Sequence, residues 1–123
     1  MMDILDQEVA SVSPPPYIST QVSDGRYLFA NLNPPADADL VVVCAGLEEC
    51  APDYVIDRRG FRFHAVEYVS EGRFELLLEG RRHVLGPGGV FSYGPRTRYT
   101  LRALEEKRLS KYFLAFAGRD AEG

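Results

Sequence analysis

Short apolar segments alternate with turn signals at intervals of eight to twelve residues along most of the chain. The turns combine Gly with Asp, Ala, Glu or Pro, as in Asp24-Gly25, Ala45-Gly46, Glu79-Gly80 and Gly94-Pro95. This spacing predicts an all-β fold with at most one helical turn, over Leu104–Leu109. The predicted strands are roughly Arg26–Asn31, Leu40–Ala45, Asp53–Asp57, Phe63–Ser70, Phe74–Glu79, Arg81–Leu85, Val90–Tyr93, Tyr99–Leu104 and Ser110–Ala117.

The first 22 residues have a different character from the rest. Pro14-Pro15-Pro16 cannot join a central strand, because proline removes a donor from the hydrogen-bond ladder. We therefore expect residues 1–22 to form an extended N-terminal arm, residues 23–118 to form a barrel, and residues 119–123 to be a linker.

Composition narrows the possible partners. The chain has 123 residues, the length of one domain, and a formal net charge of −4, which argues against binding nucleic acid unaided. No apolar run is long enough to span a membrane, and the acidic, proline-rich start is unlike a signal peptide. We expect a cytoplasmic protein with no membrane contact, in which Cys44 and Cys50 are small buried hydrophobes.

Several segments together resemble a known family. They include Ile56-Asp57-Arg58, Tyr68-Val69-Ser70-Glu71-Gly72, the bend Pro87-Gly88-Gly89-Val90-Phe91 and the aromatic strand Lys111–Phe116. Over about residues 40 to 118, their order and spacing are similar to the N-terminal sensing domain of AraC-type transcription regulators. The resemblance implies a cupin-like double-stranded β-helix, or jelly-roll barrel, that binds a small effector and forms a homodimer. It also implies that DNA is bound by a separate domain, which is absent from this chain.

Metal-dependent cupin enzymes require several converging imidazoles and a carboxylate. This chain has only His64 and His83, which fall on different predicted strands, and Tyr99 stands where those enzymes place their last histidine. A phenol binds the usual divalent ions poorly near neutral pH, because its pKa is about 10. We therefore expect no metal, no cofactor and no catalysis.

Strand alternation suggests which side chains face inward. Along Phe63–Val69 the positions of Phe63, Ala65, Glu67 and Val69 form the smaller, more apolar face, which we assign to the interior. Glu67 then needs a hydrogen-bonding or charged partner such as Arg58, because a lone buried carboxylate is costly. The inverted assignment would leave Glu67 in solvent. On the first assignment His64 lies outside.

The resemblance implies further ligand-binding residues. Arg58 matches an arginine that lies in the pocket of sugar-sensing members, although it would also suit a surface ion pair. Tyr99 matches a pocket position, or it is a core aromatic residue. Lys111 and Phe113 share the face of the last strand that contacts sugar in the family, and Tyr17 would close the pocket unless the arm is disordered. The chain has no Trp, which leaves the sugar unidentified.

Three functions fit these features. The first is a sensing domain that binds a sugar or sugar derivative. The second is a metal-free isomerase or epimerase using Tyr99 with Glu67 or His64 as acid and base. The third is a structural dimerisation module whose interior is filled by side chains.

Overall fold

The computed structural model describes residues 22–104 and 108–122, apart from the side chains of Ser23 and Glu122. The described residues form nine strands and one short 3-10 turn, Arg119–Glu122. The strands are β1 (Val22–Phe29), β2 (Val41–Cys50), β3 (Val55–Arg59), β4 (His64–Glu71), β5 (Phe74–Leu78), β6 (Arg81–Leu85), β7 (Val90–Tyr93), β8 (Arg98–Ala103) and β9 (Leu109–Ala117). The all-β prediction is confirmed, and each of the nine predicted strands has a counterpart.

The strands form two antiparallel sheets. The five-stranded sheet has the order β1-β2-β9-β4-β7, and the four-stranded sheet has the order β3-β8-β5-β6. Their facing sides enclose one core, in which the largest fully buried side chains include Phe74, Leu76, Leu101 and Leu109. Burying aliphatic and aromatic side chains of this kind supplies most of the favourable free energy of folding.

Two predicted turns are wrong, because Asp24-Gly25 lies inside β1 and Ala45-Gly46 lies inside β2. A Cβ atom at Gly46 would lie only 2.5 Å from a ring carbon of Phe113 and 2.7 Å from one of Tyr27. Gly46 therefore allows two aromatic rings to approach the backbone of a central strand, which is a known role of glycine within sheets. The turn at Glu79-Gly80 is confirmed: both residues have positive φ, 50° and 81°, as a tight hairpin requires.

The two ends of the chain are described only in part. The predicted arm lies outside the described residues except for Val22, which begins β1. The predicted helical turn near Leu104 falls partly on residues that are not described, and Leu109 already belongs to β9. At the C-terminal end, the backbone N–H groups of Arg119 and Asp120 donate to the carbonyl oxygens of Ala38 and Asp39. No helix within the described ranges is long and apolar enough to cross a membrane.

Candidate ligand site in the barrel interior

The inward face of β4 carries a carboxylate. Ala65, Glu67 and Val69 are all buried, whereas Tyr68 is exposed. The assignment of this face to the interior is therefore confirmed, and Glu67 is not solvated. Its side chain is only 5% exposed.

Strand register brings polar groups of the five-stranded sheet together. One row crosses the whole sheet and contains Tyr27, Gly46, Phe113, Glu67 and Phe91. In the neighbouring row, Glu48 of β2 lies opposite Lys111 of β9. Since side chains two positions apart point to the same face, Lys111 lies beside Glu48 and close to Glu67.

These three residues form a buried ion cluster. The Nζ atom of Lys111 lies 2.7 Å from Oε1 of Glu48 and 2.8 Å from Oε1 of Glu67. The rings of Tyr54 and Phe113 flank the ammonium group, with centroids 5.5 and 5.8 Å away. Burial by itself lowers the pKa of Lys111, but its acidic neighbours, Glu67 foremost, outweigh burial and hold that pKa well above its usual value. Lys111 is therefore a permanent cation at neutral pH.

Two tyrosine hydroxyls complete the carboxylate contacts. Tyr27 donates a hydrogen bond of 2.7 Å to Oε2 of Glu48, and Tyr93 donates one of 2.6 Å to Oε2 of Glu67. Burial, and then the neighbouring carboxylate, raise the pKa of each phenol above its ordinary value. Both tyrosines are thus fixed as hydrogen-bond donors.

The polar groups continue from Tyr93 toward Arg58. The ring centroids of Tyr93 and Tyr99 are 4.5 Å apart, and Tyr99 lies opposite Arg58 in the pairing of β8 with β3. The half-buried guanidinium of Arg58 lies 5.1 Å from the centroid of the Phe61 ring. Burial raises the pKa of Tyr99 to about 12. We call the resulting series the polar chain; its members are Arg58, Tyr99, Tyr93, Glu67, Lys111, Glu48 and Tyr27.

The predicted site residues can now be located. Arg58, Tyr99, Glu67 and Lys111 lie along the polar chain, and Phe113 contacts it through Lys111. Tyr17 lies outside the described residues. Glu67 has the hydrogen-bonding and charged partners that its burial is expected to require, and these are Tyr93 and Lys111, whereas Arg58 is the example suggested from sequence. His64 lies on the outer side as expected, stacked on Phe116 with the ring centroids 6.0 Å apart.

The sequence interpretation missed Glu48, Tyr27, Tyr93 and Tyr54. Glu48 was missed because the predicted strand ended at Ala45, whereas β2 continues to Cys50. A period of two in the sequence indicates the missing residue, since the positions of Cys44, Gly46, Glu48 and Cys50 alternate with outward ones. For the tyrosines no comparable signal exists, because an inward tyrosine resembles any core aromatic residue.

Comparison with known proteins identifies the family. Residues 41–123 match the family model of the AraC-like ligand binding domain, which is more than half of the chain. The chain belongs to this family. A search of functionally curated proteins finds no significant match.

Solved structures show that this AraC-like domain has the cupin fold. KdgF from Halomonas sp. is 24% identical with a TM-score of 0.53, and the match covers 74% of this chain and 79% of that one. The cupin domain of Cnp3 from Schizosaccharomyces pombe is 14% identical with a TM-score of 0.60 and coverages of 85% and 72%. The cupin domain of an XRE family transcriptional regulator from Enterobacter cloacae is 13% identical with a TM-score of 0.51 and coverages of 62% and 94%. The predicted jelly-roll architecture is confirmed.

The ion cluster of this AraC-like domain keeps unused hydrogen-bonding capacity. Each carboxylate offers about four lone-pair positions, and an ammonium group has three protons. Glu48 and Glu67 each accept a hydrogen bond from one tyrosine, and Lys111 donates one to Oε1 of Glu48. The Nζ atom of Lys111 also lies 2.8 Å from Oε1 of Glu67 as an ion pair, but that oxygen accepts no hydrogen bond from the described residues. The acceptor positions of the two carboxylates therefore exceed the donors named here, most clearly at Oε1 of Glu67.

The donor set of the interior does not suit a metal centre. Within residues 22–104 and 108–122 there is no group of three or more His, Cys, Asp or Glu side chains placed to hold an ion. The two interior carboxylates instead surround the ammonium group of Lys111, which occupies the position where a cation would be bound.

Proposed function

We propose that the barrel interior is the effector site of a sensing domain, and that the effector is a sugar or sugar derivative. The polar chain carries this proposal, because it places charged and hydroxyl groups inside a domain whose family binds ligands. Transcriptional control would then need a separate DNA-binding domain, as the net charge of −4 implies. A regulator of this kind would act in the cytoplasm.

The polar chain matches the chemistry of a polyhydroxylated ligand. Ligand hydroxyls would donate to Glu48 and Glu67 and accept from Lys111, while Arg58 would bind ring or anomeric oxygens from the opposite sheet. Half-buried Phe113 supplies an apolar ring face of the kind on which the C–H face of a sugar packs. The charged, hydroxyl and aromatic side chains along the polar chain therefore favour a sugar over a purely apolar effector.

We propose binding without catalysis. An isomerase or epimerase needs an acid and a base whose pKa values lie near the working pH. The pKa of Tyr99 is raised to about 12, and the pKa values of Tyr93 and Lys111 lie well above their ordinary values. All three groups therefore stay protonated near neutral pH and none of them is poised as a base, which supports a sensing role.

The test is a thermal-shift screen of the chain against pentoses, hexoses, sugar acids and divalent metal ions. A specific ligand at about one hundred times its dissociation constant adds about 2.7 kcal/mol of stability. For a domain of this size, that corresponds to a rise of roughly 10 °C in the unfolding midpoint. We expect such a rise with one class of sugar.

Arg58→Ala and Arg59→Ala form a matched pair for this screen, since Arg58 faces inward and its neighbour Arg59 is exposed on the outer side of the same strand. The sugar-dependent shift should disappear in Arg58→Ala and persist in Arg59→Ala. A shift with metal ions alone would overturn the proposal and favour an enzyme. No shift with any compound would favour a module whose interior is packed by its own side chains.

A further inference from the structure

A cavity of about 280 Å³ lies on the outer side of the five-stranded sheet, beside the loop between β7 and β8. Its walls come from the start of β4, the end of β7 with the loop that follows, the end of β9 and the 3-10 turn. We call it the loop cavity; its lining residues include His64, Ser92, Pro95, Arg96, Thr97 and Phe116. None of these six residues belongs to the polar chain, so the loop cavity is separate from the interior site.

One wall of the loop cavity is a closed turn over residues 94–97. The N–H of Thr97 donates to the carbonyl oxygen of Gly94 at 3.1 Å, and the N–H of Gly94 donates to Oγ1 of Thr97 at 3.0 Å. Pro95 occupies the second position of this turn, which suits its fixed φ. A further bond, from the N–H of Gly60 to the carbonyl oxygen of Thr97, ties the turn to the end of β3. The backbone that carries Arg96 is therefore fixed.

The opposite wall is formed by an imidazole packed on a phenyl ring. His64 and Phe116 lie directly opposite each other in the pairing of β4 with β9, and their ring planes are 24° apart. A Cβ atom at Gly94 would lie only 2.7 Å from Nδ1 of His64. Because Gly94 has no side chain, the imidazole can lie between the ring of Phe116 and the backbone of the turn.

The charge around the loop cavity favours an anion. No Asp or Glu is among the residues that line it. Residues 80–104, which include the turn, contain five arginines and no Asp or Glu, although the whole chain has a net charge of −4. Arg59 and Arg98 also lie directly opposite each other beside the turn, a pairing in which like charges repel. A concave site with this excess of one charge attracts ligands of the opposite charge.

Two donor groups of the loop cavity are not used by the protein. The side chains of Arg96 and Ser92 make no hydrogen bond or ion pair with any other described residue, whereas Arg82 and Arg102 both pair with Glu75. A guanidinium group presents a planar set of N–H donors that matches phosphate and carboxylate oxygens. Arg96 and Ser92 are therefore available to an oxyanion.

We propose that the loop cavity binds a small phosphate monoester with a compact apolar body. Arg96, Ser92 and His64 come from three different elements, and these three donor side chains match the three acceptor oxygens of a phosphate monoester. Phe116 and Pro95 supply apolar surface for the body of the ligand. A cavity of about 150 Å³ already accepts a benzene ring, so the loop cavity holds a ring of that size together with a phosphate group.

Titration of the full 123-residue chain with phenyl phosphate, followed by amide NMR spectra, tests this proposal. We expect saturable changes at the amide signals of Gly94, Arg96 and Thr97. Arg96→Ala should weaken binding at least about tenfold, because it removes charge-assisted hydrogen bonds. Arg26→Ala is the matched control and should bind as the wild type does. Arg26 is likewise exposed and makes no side-chain contact of this kind with a described residue, but it lies on β1.

Circular dichroism and the unfolding midpoint will show that each variant is folded. If Arg96→Ala does not fold, Ser92→Ala decides, and it should weaken binding severalfold. The proposal is overturned if the loop signals show no saturable change, if the deciding variant binds as tightly as the wild type, or if Arg26→Ala weakens binding equally.

Two further ligands test the chemical class. Inorganic phosphate and benzoate each carry one half of phenyl phosphate, so both should bind more weakly than the monoester. Equal or tighter binding of inorganic phosphate would overturn the assignment of an apolar body. Equal or tighter binding of benzoate would overturn the assignment of a phosphate group.

Discussion

Two ion clusters of this domain have nearly the same geometry in opposite surroundings. Inside the barrel one cation, Lys111, lies between two carboxylates at 2.7 and 2.8 Å. On the outer side of the four-stranded sheet one carboxylate, Glu75, lies between Arg82 and Arg102 at 2.6 and 3.0 Å. The lysine is 3% exposed, whereas the two arginines are 60% and 52% exposed.

This comparison shows that contact distance does not measure how much an ion pair contributes to the free energy of unfolding. In the exposed cluster, water solvates any charge that loses its partner, so the pairs contribute little to the free energy of unfolding. In the buried cluster, losing one member leaves charges that neither water nor protein compensates. Removing one member of the interior cluster should therefore destabilise the barrel strongly, while changes in the outer cluster should cost little.

The largest effect is expected from Lys111→Met, which removes the central cation but keeps an unbranched side chain of similar length. Two buried carboxylates would then face each other without a cation. The free energy of unfolding should fall by about 3–5 kcal/mol, the cost of breaking a buried ion pair from one side. Urea unfolding followed by circular dichroism will measure this loss.

The triple variant Glu48→Gln, Lys111→Met, Glu67→Gln is the control for that prediction. It removes all three charges together, so it should recover much of the stability lost in Lys111→Met, as replacement of a whole buried ion cluster often does. If the triple variant is less stable than the single one, the loss comes from packing and not from charge.

Alkaline pH should reduce the difference in stability between wild type and Lys111→Met, an effect of intermediate size among these predictions. The pKa of Lys111 is raised in the folded chain, so its contribution is fully present below the unfolded value of about 10.4 and is lost as pH rises through the folded value. The difference in stability between wild type and Lys111→Met should thus stay constant from pH 7 to 9 and narrow above about pH 10.

The buried tyrosines lower the stability of both wild type and Lys111→Met as the pH rises. Tyr99, with a pKa raised to about 12, favours the folded chain less and less as pH rises above 10. Both proteins should therefore lose stability in alkali, and only the difference between them reports on Lys111. A difference that stays constant or widens up to pH 11 would contradict the assignment of the cluster.

Alternation made the interior of β4 predictable from sequence, and the family resemblance did the same for β9, since Glu67, Lys111 and Phe113 each occupy an inward position. The partner of Glu67 was not predictable in the same way. Arg58 and Lys111 were both inward cations, and only the pairing of β9 with β2 and β4 brings Lys111 between the two carboxylates. Strand register depends on residues far apart in the sequence. A local pattern therefore predicts the face of the sheet on which a residue lies, but not which residue of the adjacent strand it contacts.

Gly46 illustrates a second limit of sequence interpretation. A glycine after alanine resembles a turn, yet here it lies opposite Tyr27 on one side and Phe113 on the other. The need for glycine comes from side chains of other strands, which no local signal reveals. Because that turn was placed too early, β2 was shortened and Glu48, one of the two carboxylates of the interior cluster, was left out.

The smallest effect should come from Glu75→Gln in the exposed cluster. Hydrogen bonds from Arg82 and Arg102 lower the pKa of Glu75, so its contribution is present above the ordinary carboxyl value of about 4.3 and is lost as pH falls through the lowered folded value. At neutral pH the variant should unfold at a midpoint only slightly below that of the wild type. The difference should vanish in acid, where both side chains are uncharged.

The exposed and the buried ion cluster should respond differently to salt, because only the exposed one is surrounded by water. Raising the ionic strength from about 0.1 M to 1 M shortens the screening length from about 10 Å to 3 Å, which weakens exposed pairs far more than buried ones. The small effect of Glu75→Gln should therefore disappear in high salt, whereas the effect of Lys111→Met should persist. If both effects decline together, water reaches Lys111, and the interior cluster is more open than its 3% exposure implies.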